Sequence, residues 1–161
     1  MPSFTTRAAR LDDAEELAAV HTQCWKETYA GFFPEQAWSD EARQRREAMW
    51  NELLTDTSTT TVVAEVGSRI VGLAHAHHNR DEHDLPSEEL AMIYVLMSAH
   101  GTGAGQALID AALGGAAASV WVLEQNPRAR AFYARNRFMY DGTVREMDFN
   151  PNIRELRLIR S

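Results

Sequence analysis

The first third of the chain has the periodicity of helices. Apolar side chains such as Val20 and Cys24 recur three or four positions apart within residues 11–33, which predicts an amphipathic helix. Asp12 and Glu15 stand at its start with the spacing of a capping box, aspartate replacing the usual serine. A second helical stretch, rich in charged residues, covers residues 34–54. The pattern therefore predicts two consecutive helices.

The middle of the chain has the pattern of a sheet. Residues 59–66 are rich in β-branched side chains, and a Gly-Ser-Arg turn joins them to residues 70–78 as a hairpin. Residues 89–97 read ELAMIYVLM without polar alternation, as expected of a central strand covered on both faces. The other predicted elements are a first strand at 4–9, helices at 103–113 and 126–136, and strands at 118–125, 138–144 and 153–159.

Together these elements predict an α/β chain with the order β-α-α-β-β-β-α-β-α-β-β. A length of 161 residues, 45% hydrophobic and 24% charged, fits one domain over residues 1–161 with a core of its own.

Composition and net charge limit the cellular environment and the binding partners that we expect for this chain. No apolar run is long enough to span a bilayer, and the N-terminus lacks the apolar segment of a signal peptide, so we expect a cytoplasmic protein without a membrane partner. A net charge of −7 disfavours nucleic acid as a partner and is compatible with a cationic small substrate. The lone Cys24 cannot form an internal disulfide, and we expect a buried thiol.

The segment HGTGAGQ, which begins at His100, follows the apolar strand and opens the predicted helix at 103–113. A dinucleotide fingerprint from Gly101 requires glycine at position 106, which is Gln106, and a Walker loop requires in addition a lysine where Ala107 stands. Both spacings fail. Two interpretations of the segment remain. Either it is a glycine-rich helix N-terminus suited to a pyrophosphate, or its glycines only permit a tight turn.

The same segment resembles the signature of the GNAT superfamily of acyl-CoA-dependent N-acetyltransferases, Arg/Gln-x-x-Gly-x-Gly/Ala after a buried strand. Residues 126–138, NPRARAFYARNRF, resemble the family pattern Asn-x-x-Ala-x-x-Phe-Tyr-x-x-x-Gly-Phe. Residues 9–34 resemble the first helix and following loop of many bacterial members. The resemblance implies a GNAT fold: one domain with a mixed, mostly antiparallel sheet of about seven strands flanked by four helices.

The resemblance also implies a site for acetyl-CoA as cosubstrate, with no metal. The backbone of the central strand would pair with the pantetheine arm, an amide near Val95 would stabilise the thioester oxyanion, and Asn126 would hydrogen-bond the arm while capping its helix. The glycine loop would bind the pyrophosphate. The residues implied in binding are Ile93, Tyr94, Val95, His100, Gly101, Thr102, Gly103, Ala104, Gly105, Gln106 and Asn126.

Two residues depart from the family pattern. His100 replaces arginine or glutamine, which predicts a weaker or pH-dependent contact with phosphate. Arg137 replaces the glycine before Phe138, and we expect Asn136 to take the left-handed conformation in its place. Neither change removes a group that acetyl transfer needs.

Two side chains are candidates for the chemistry. Glu89 resembles the position at which several GNAT enzymes carry their base, and strand alternation directs Glu88 to the opposite side. Tyr133 matches the position of the general acid that protonates the departing thiolate. The alternatives are a solvated strand-end carboxylate for Glu89, core packing for Tyr133, and Glu88, a histidine (His77 or His78) or water as the base.

The acceptor pocket is less defined. Candidate wall residues, with core packing as the equal alternative, are Trp25, Tyr29, Phe32, Phe33 and Trp38. A group of acidic residues either forms a solvated loop or attracts a cationic amine: Asp81, Glu82, Asp84, Glu88 and Glu89. A group of arginines either binds the adenosine 3′-phosphate or lies on an exposed helix face: Arg128, Arg130 and Arg135. A zinc site at His75, His77, His78 and His83 is disfavoured because no further ligand completes it.

The predicted function is transfer of an acetyl group from acetyl-CoA to a primary amine, either a small cationic amine or a protein N-terminus, by direct attack. The alternative is a catalytically silent acyl-CoA-binding or sensor domain, and a nucleotide-binding domain fits least because both glycine spacings fail. Dimers are common in the superfamily, so the resemblance is compatible with a homodimer.

Overall fold

The computed structural model describes residues 3–79, 84–148 and 150–161. Within them the predicted order of strands and helices is confirmed. The strands are β1 Thr5–Ala8, β2 Thr60–Val66, β3 Arg69–His78, β4 Glu88–Val95, β5 Ala118–Leu123, β6 Met139–Met147 and β7 Asn150–Arg160. The helices are α1 Ala14–Tyr29, α2 Asp40–Leu53, α3 Ala104–Leu113 and α4 Pro127–Arg135. The strands form a mixed sheet and hydrogen-bond in the order β1-β2-β3-β4-β5-β7-β6.

The chain divides into two compact units. The first comprises residues 1–76 and 92–114, and the second comprises residues 77–91 and 115–161, so β3 and β4 contribute residues to both. Interpretation of residues 1–161 as a single domain stays a prediction. Within the described residues, no helix is both long and apolar enough to cross a membrane.

The first unit has a tightly packed apolar core between α1, α2 and the sheet. Trp50 and Leu17 are fully buried in it, and Cys24 is buried as predicted. Burial raises the pKa of the Cys24 thiol to about 12, so the thiol stays protonated and unreactive at neutral pH. The indole N–H of Trp50 donates to Nδ1 of His21 over 3.3 Å. Burial lowers the pKa of His21 to about 3, which keeps this imidazole neutral.

Two predicted helix starts need correction. The predicted capping box of Asp12 and Glu15 is wrong: the capping box belongs to a 3-10 turn, in which the Asp13 carboxylate accepts the Arg10 amide hydrogen over 2.7 Å, and α1 itself has no side-chain cap. A 3-10 turn over Leu11–Asp13 moves the start of α1 to Ala14. The stretch at 34–54 is likewise two elements, because Ser39 accepts from the Ala42 amide and starts α2 after a 3-10 turn.

The second unit is built on the antiparallel pairing of β5 with β7. Val120 lies opposite Leu158 and Val122 opposite Leu156, and all four side chains are buried. On the other face of β5, the Arg145 guanidinium lies 4.1 Å from the ring centre of Trp121. The alternation of buried and solvent-facing side chains fixes the register of these strands.

The ion pair between Asp13 and Arg7 predicts how the free energy of unfolding changes at acidic pH. Arg7 donates to both Asp13 oxygens over 2.8 and 2.9 Å and also contacts Glu65. These hydrogen bonds from Arg7 lower the pKa of Asp13 below its usual value, although burial opposes the shift. A carboxyl whose pKa is lowered by folding stabilises the native state above its unfolded pKa, and the contribution is lost as the pH falls through the folded pKa.

We therefore expect Asp13→Asn to lower the free energy of unfolding at pH 7 by about 2 kcal/mol. The difference between variant and wild type should shrink as the pH falls below about 4, where the unfolded carboxyl takes up a proton, and should vanish below the lowered pKa of native Asp13, where both side chains are neutral. Urea denaturation at pH 7, 5 and 3 measures it, with Asp12→Asn as the matched control. An equal loss in the control, or a difference independent of pH, would contradict this account.

Candidate functional site

The glycine loop in the first unit has the backbone of an anion-binding helix start. Gly101 and Gly103 have φ values of 77° and 91°, and Gly103 is the residue before α3. The Thr102 hydroxyl donates to the carbonyl of Ala99 and accepts from the amide of Ala104, which fixes the turn. The amides of the next residues belong to the first turn of α3, where the helix offers them no acceptor. They carry the positive end of the helix dipole.

His100 contacts the end of β4. Its Nε2 lies 2.9 Å from the carbonyl oxygen of Val95, so the ring nitrogen donates to this backbone group. A carboxylate on α1 contributes at the same junction, because Glu27 Oε1 accepts the Met97 amide hydrogen over 3.0 Å. The ring at position 100 therefore connects the glycine loop with the strand. The role of Glu27 follows from a tertiary contact and could not be predicted from the local sequence pattern.

Helix α4 in the second unit begins as predicted. Asn126 Oδ1 accepts the Ala129 amide hydrogen over 3.1 Å, and Pro127 occupies the first helical position. The cap uses only the oxygen of the side-chain amide, which leaves its N–H groups for another acceptor. Tyr133 is buried on the inner side of this helix, and its ring packs edge-on against Phe132 and Phe138.

The end of α4 differs from the prediction. Arg137, and not Asn136, has the left-handed backbone, with φ at 68°. Asn136 stays at φ −96° and caps the helix, because its Nδ2 donates to the carbonyl of Phe132 over 3.0 Å. That hydrogen bond requires Asn136 to remain close to the last turn, which moves the chain reversal one residue further.

The acidic end of β4, which consists of Glu88 and Glu89, is paired with the last two residues of β3. Glu89 Oε2 lies 2.7 Å from Nε2 of His77, and Glu88 Oε1 lies 2.8 Å from Nδ1 of His78. Neighbouring residues of a strand point to opposite faces, so the two pairs lie on opposite faces, as alternation predicts. The side chain of Glu89 is 22% exposed and therefore half-buried. The sequence offered all four groups as candidate bases, and the structure joins them in pairs.

Asn79 fixes these strand ends. Its Nδ2 lies within 3.0 Å of the carbonyls of Pro86 and Glu88 and of the Ser119 hydroxyl. The parallel register of β4 with β5 comprises two pairs, Glu88 with Ala118 and Glu89 with Ser119. β4 is less buried than predicted: Leu90 is buried but the following Ala91 is exposed. A register of two pairs covers only the first part of the strand. No local sequence pattern singles out Asn79 or Ser119.

The predicted wall residues divide between a cluster and the surface. The rings of Trp25, Tyr29 and Phe33 pack on one another with centres 4.9 to 5.2 Å apart in the first unit. Phe32 is 40% exposed. Arg46 of α2 lies over Trp25, 5.1 Å from the ring centre, and donates to the Thr22 hydroxyl and the Ala37 carbonyl. Trp38 is half-buried.

The Tyr94 ring stacks on His21, with centres 4.8 Å apart, and burial raises the pKa of this tyrosine. The phenol is therefore neutral at physiological pH.

The other candidate residues lie on α3 and α4 or outside the described residues. Arg128, Arg130 and Arg135 are exposed on α4, and Arg130 donates to the Glu124 carbonyl over 3.3 Å. Gln106 donates to Asp110 on the surface of α3. Asp81, Glu82 and His83 lie outside the described residues. Among residues 3–79, 84–148 and 150–161, no group of three or more His, Cys, Asp or Glu side chains is arranged to bind a metal.

Comparison with known proteins assigns the family. The model of the acetyltransferase (GNAT) family matches residues 17–138. An uncharacterized N-acetyltransferase of Mycobacterium tuberculosis is 35% identical over 140 residues, which cover 83% of this chain and 87% of the relative. The N-acetyltransferase YuaI of Bacillus subtilis, also uncharacterized, is 29% identical over 76% of this chain and 73% of its own length. The chain therefore belongs to the GNAT family of acetyltransferases.

Solved structures support the same fold. The PaiA N-acetyltransferase of Thermoplasma acidophilum, solved in complex with coenzyme A, is similar with a TM-score of 0.75 at 18% identity, over 99% of both chains. The ribosomal-protein-S18-alanine N-acetyltransferase of Escherichia coli has a TM-score of 0.71 at 15% identity, over 98% of this chain and 93% of its own. The predicted GNAT fold and the predicted enzyme class, an N-acetyltransferase with acetyl-CoA as cosubstrate, are confirmed. The roles of individual site residues stay predictions.

The left-handed Arg137 gives a direct test of how α4 ends. A non-glycine residue in this conformation costs roughly 1 kcal/mol relative to glycine, so we expect Arg137→Gly to raise the free energy of unfolding by about that amount. Asn136→Gly should lower it, because the side-chain cap on Phe132 is lost. Chemical denaturation of both variants measures the two shifts. Stabilisation by Asn136→Gly would show instead that position 136 is the left-handed one.

Proposed function

We propose that this acetyltransferase moves the acetyl group of acetyl-CoA to the primary amine of a small cationic molecule or of a protein N-terminus, by direct attack without an acyl-enzyme. The observation that carries this proposal is the glycine loop, where two left-handed glycines open α3. A loop of backbone amides at a helix N-terminus favours a pyrophosphate without a cationic side chain. The coenzyme A complex of the PaiA enzyme is in keeping with such a ligand.

The rest of the cosubstrate is assigned to β4 and to the start of α4. We assign the pantetheine arm to the backbone of Ile93, Tyr94 and Val95, and to the amide N–H groups of Asn126. In support, the described register of β4 with β5 includes only its first two residues, although β4 is eight residues long. An amide near Val95 is assigned to the thioester oxyanion, where a fixed N–H stabilises the tetrahedral intermediate.

Tyr133 is assigned as the general acid. A phenol has an ordinary pKa near 10 and a thiol near 8.5, so a tyrosine stays protonated at neutral pH and can protonate the departing thiolate. Burial of this side chain on α4, between two aromatic rings, restricts its motion and supports a fixed geometry.

Glu89 is assigned as the group that receives the proton of the acceptor ammonium. A primary amine has a pKa around 10 and must lose its proton before it attacks. The Glu89 carboxylate is half-buried and held by a neighbour, which supports a defined position for this exchange. The acidic end of β4 also supports a cationic acceptor over an anionic one.

A coupled assay separates this proposal from the alternative of a silent acyl-CoA-binding domain. Thiol release from acetyl-CoA is followed with a panel of polyamines, amino acids and N-terminal peptides, and thermal stabilisation by acetyl-CoA is measured in parallel. Thiol release that depends on one class of amine, with the acetylated amine seen by mass spectrometry, is the expected result. Stabilisation without turnover on every amine would favour the sensor.

We expect Tyr133→Phe to lower kcat roughly a hundredfold, because the leaving thiolate loses its proton donor. The KM for acetyl-CoA should change less than about twofold, since the ring and its packing remain. Tyr140→Phe, at an exposed tyrosine of β6, is the matched control. Unchanged turnover in Tyr133→Phe would exclude the assignment.

We expect Gly103→Ala to raise the KM for acetyl-CoA about tenfold, because a side chain at φ 91° strains the loop and turns its amides. Gly67, in the turn between β2 and β3, is also left-handed, with φ at 63°, and has open space around it. Gly67→Ala is therefore the matched control: it adds similar backbone strain but should leave this KM unchanged. Equal effects of the two substitutions on KM would contradict a role of the loop in binding.

A further inference from the structure

The pair of His77 and Glu89 has a geometry that defines where protons can reside. His77 Nδ1 lies 3.1 Å from the carbonyl oxygen of His78, and Nε2 lies 2.7 Å from a carboxylate oxygen of Glu89. A carbonyl oxygen only accepts hydrogen bonds, so Nδ1 carries a hydrogen in this arrangement. A contact of 2.7 Å between Nε2 and a carboxylate oxygen also requires one hydrogen between these two atoms, so this is the arrangement of the pair with one proton taken up.

The imidazole gives the pair a higher proton affinity than a carboxylate alone has. A glutamate side chain in water takes up a proton with a pKa near 4.3, whereas an imidazole does so near 6.5. A general base is most effective when its proton affinity matches the working pH, and imidazole meets that condition at neutral pH. A carboxylate next to the imidazole stabilises the imidazolium once it forms.

We propose that His77 is the final acceptor of the proton released by the substrate ammonium, and that Glu89 relays the proton to it. The step rests on the proposed function. The step starts from the pair without the hydrogen between Nε2 and Oε2: an N–H bond of the ammonium breaks and a Glu89 oxygen takes the proton. Glu89 Oε2 then passes a proton to Nε2 of His77. One positive charge leaves the acceptor amine, one appears on the imidazole ring, and the carboxylate is restored.

Exposure supports this direction of transfer. The side chain of His77 is 37% exposed and that of Glu89 only 22%, so the imidazole is the member of the pair that exchanges its proton with solvent more readily. The bonds of Asn79 to the Glu88 carbonyl and to Ser119 keep the start of β4 in place, which holds Glu89 within reach of the ring.

The described residues around the pair carry several groups that titrate. β4 contributes Glu89 on the same face and Glu88 on the opposite face, and Glu88 is already paired with His78. β5 contributes Ser119 opposite Glu89, and serine does not titrate in the relevant range. β3 also carries a third imidazole, the buried His75, and Asp84 lies exposed before β4. Substitution of His77 itself is therefore needed to assign a pH dependence to this residue.

The second pair provides a matched control within the same strands. His78 and Glu88 have the same chemistry at a similar distance, 2.8 Å, on the other face, and their side chains are 54% and 23% exposed. A general loss of stability or of strand pairing should affect both pairs alike. The relay should depend on only one of them.

The test compares His77→Gln, His78→Gln and Glu89→Gln with one amine and saturating acetyl-CoA, so that the ionisation of the amine is the same throughout. We expect His77→Gln to lower kcat about tenfold or more, and to move the acid limb of the pH–rate profile about two pH units lower, into the range where carboxyl groups titrate. His78→Gln should leave both unchanged. Imidazole added to a His77→Ala variant should restore part of the rate.

Each outcome supports or overturns a distinct part of the argument. If His77→Gln lowers the rate but the acid limb keeps its position and imidazole does not rescue, the histidine only orients Glu89 and the relay is wrong. If His77→Gln matches His78→Gln while Glu89→Gln is impaired, Glu89 acts alone. If the wild type transfers no acetyl group to any amine, the proposed function fails, and that result is visible before any variant is made.

Discussion

The parallel register of β4 with β5 is the constraint on which the acidic end of β4 depends. It comprises Glu88 with Ala118 and Glu89 with Ser119, and the side-chain amide of Asn79 links the Glu88 carbonyl to the Ser119 hydroxyl. A slip of one residue would exchange the faces of Glu88 and Glu89, since side chains alternate along a strand. The amide of one asparagine therefore helps to decide which carboxylate faces His77 and which faces His78.

The same pairing changes the electrostatic interpretation of this region. A run of acidic residues in sequence suggests a negative surface that attracts cations over a distance. In the structure each of the two strand carboxylates has an imidazole within 2.8 Å, so their charge is compensated whenever the histidines are protonated. A formal charge count, which treats histidine as neutral, does not show this.

The features that could be predicted from the sequence are those fixed by local pattern. The order of elements follows from apolar periodicity, and the Asn126 cap with Pro127 follows from the chemistry of helix starts. The predictions that were wrong concern features that depend on tertiary contacts or on one backbone torsion. Asp13 accepts the Arg10 amide hydrogen while Arg7 holds its carboxylate, and Arg137 is left-handed because the Asn136 side chain bonds the last turn of α4. The His–Glu pairs require the register of β3 and β4, which single-sequence patterns do not specify.

His100 illustrates how a backbone-built anion site tolerates change in its side chains. The loop has its conformation from the left-handed Gly101 and Gly103 and from the Thr102 hydroxyl, none of which involves the ring at position 100. A site made of amide groups at a helix N-terminus does not need a cationic side chain to favour an anion. The imidazole is therefore available to donate to the Val95 carbonyl, at the end of the strand whose backbone we assign to pantetheine. Replacement of the usual arginine or glutamine by histidine thus adds a fixed contact with the strand without altering the loop, so the departure at position 100 is compatible with the acetyltransferase function.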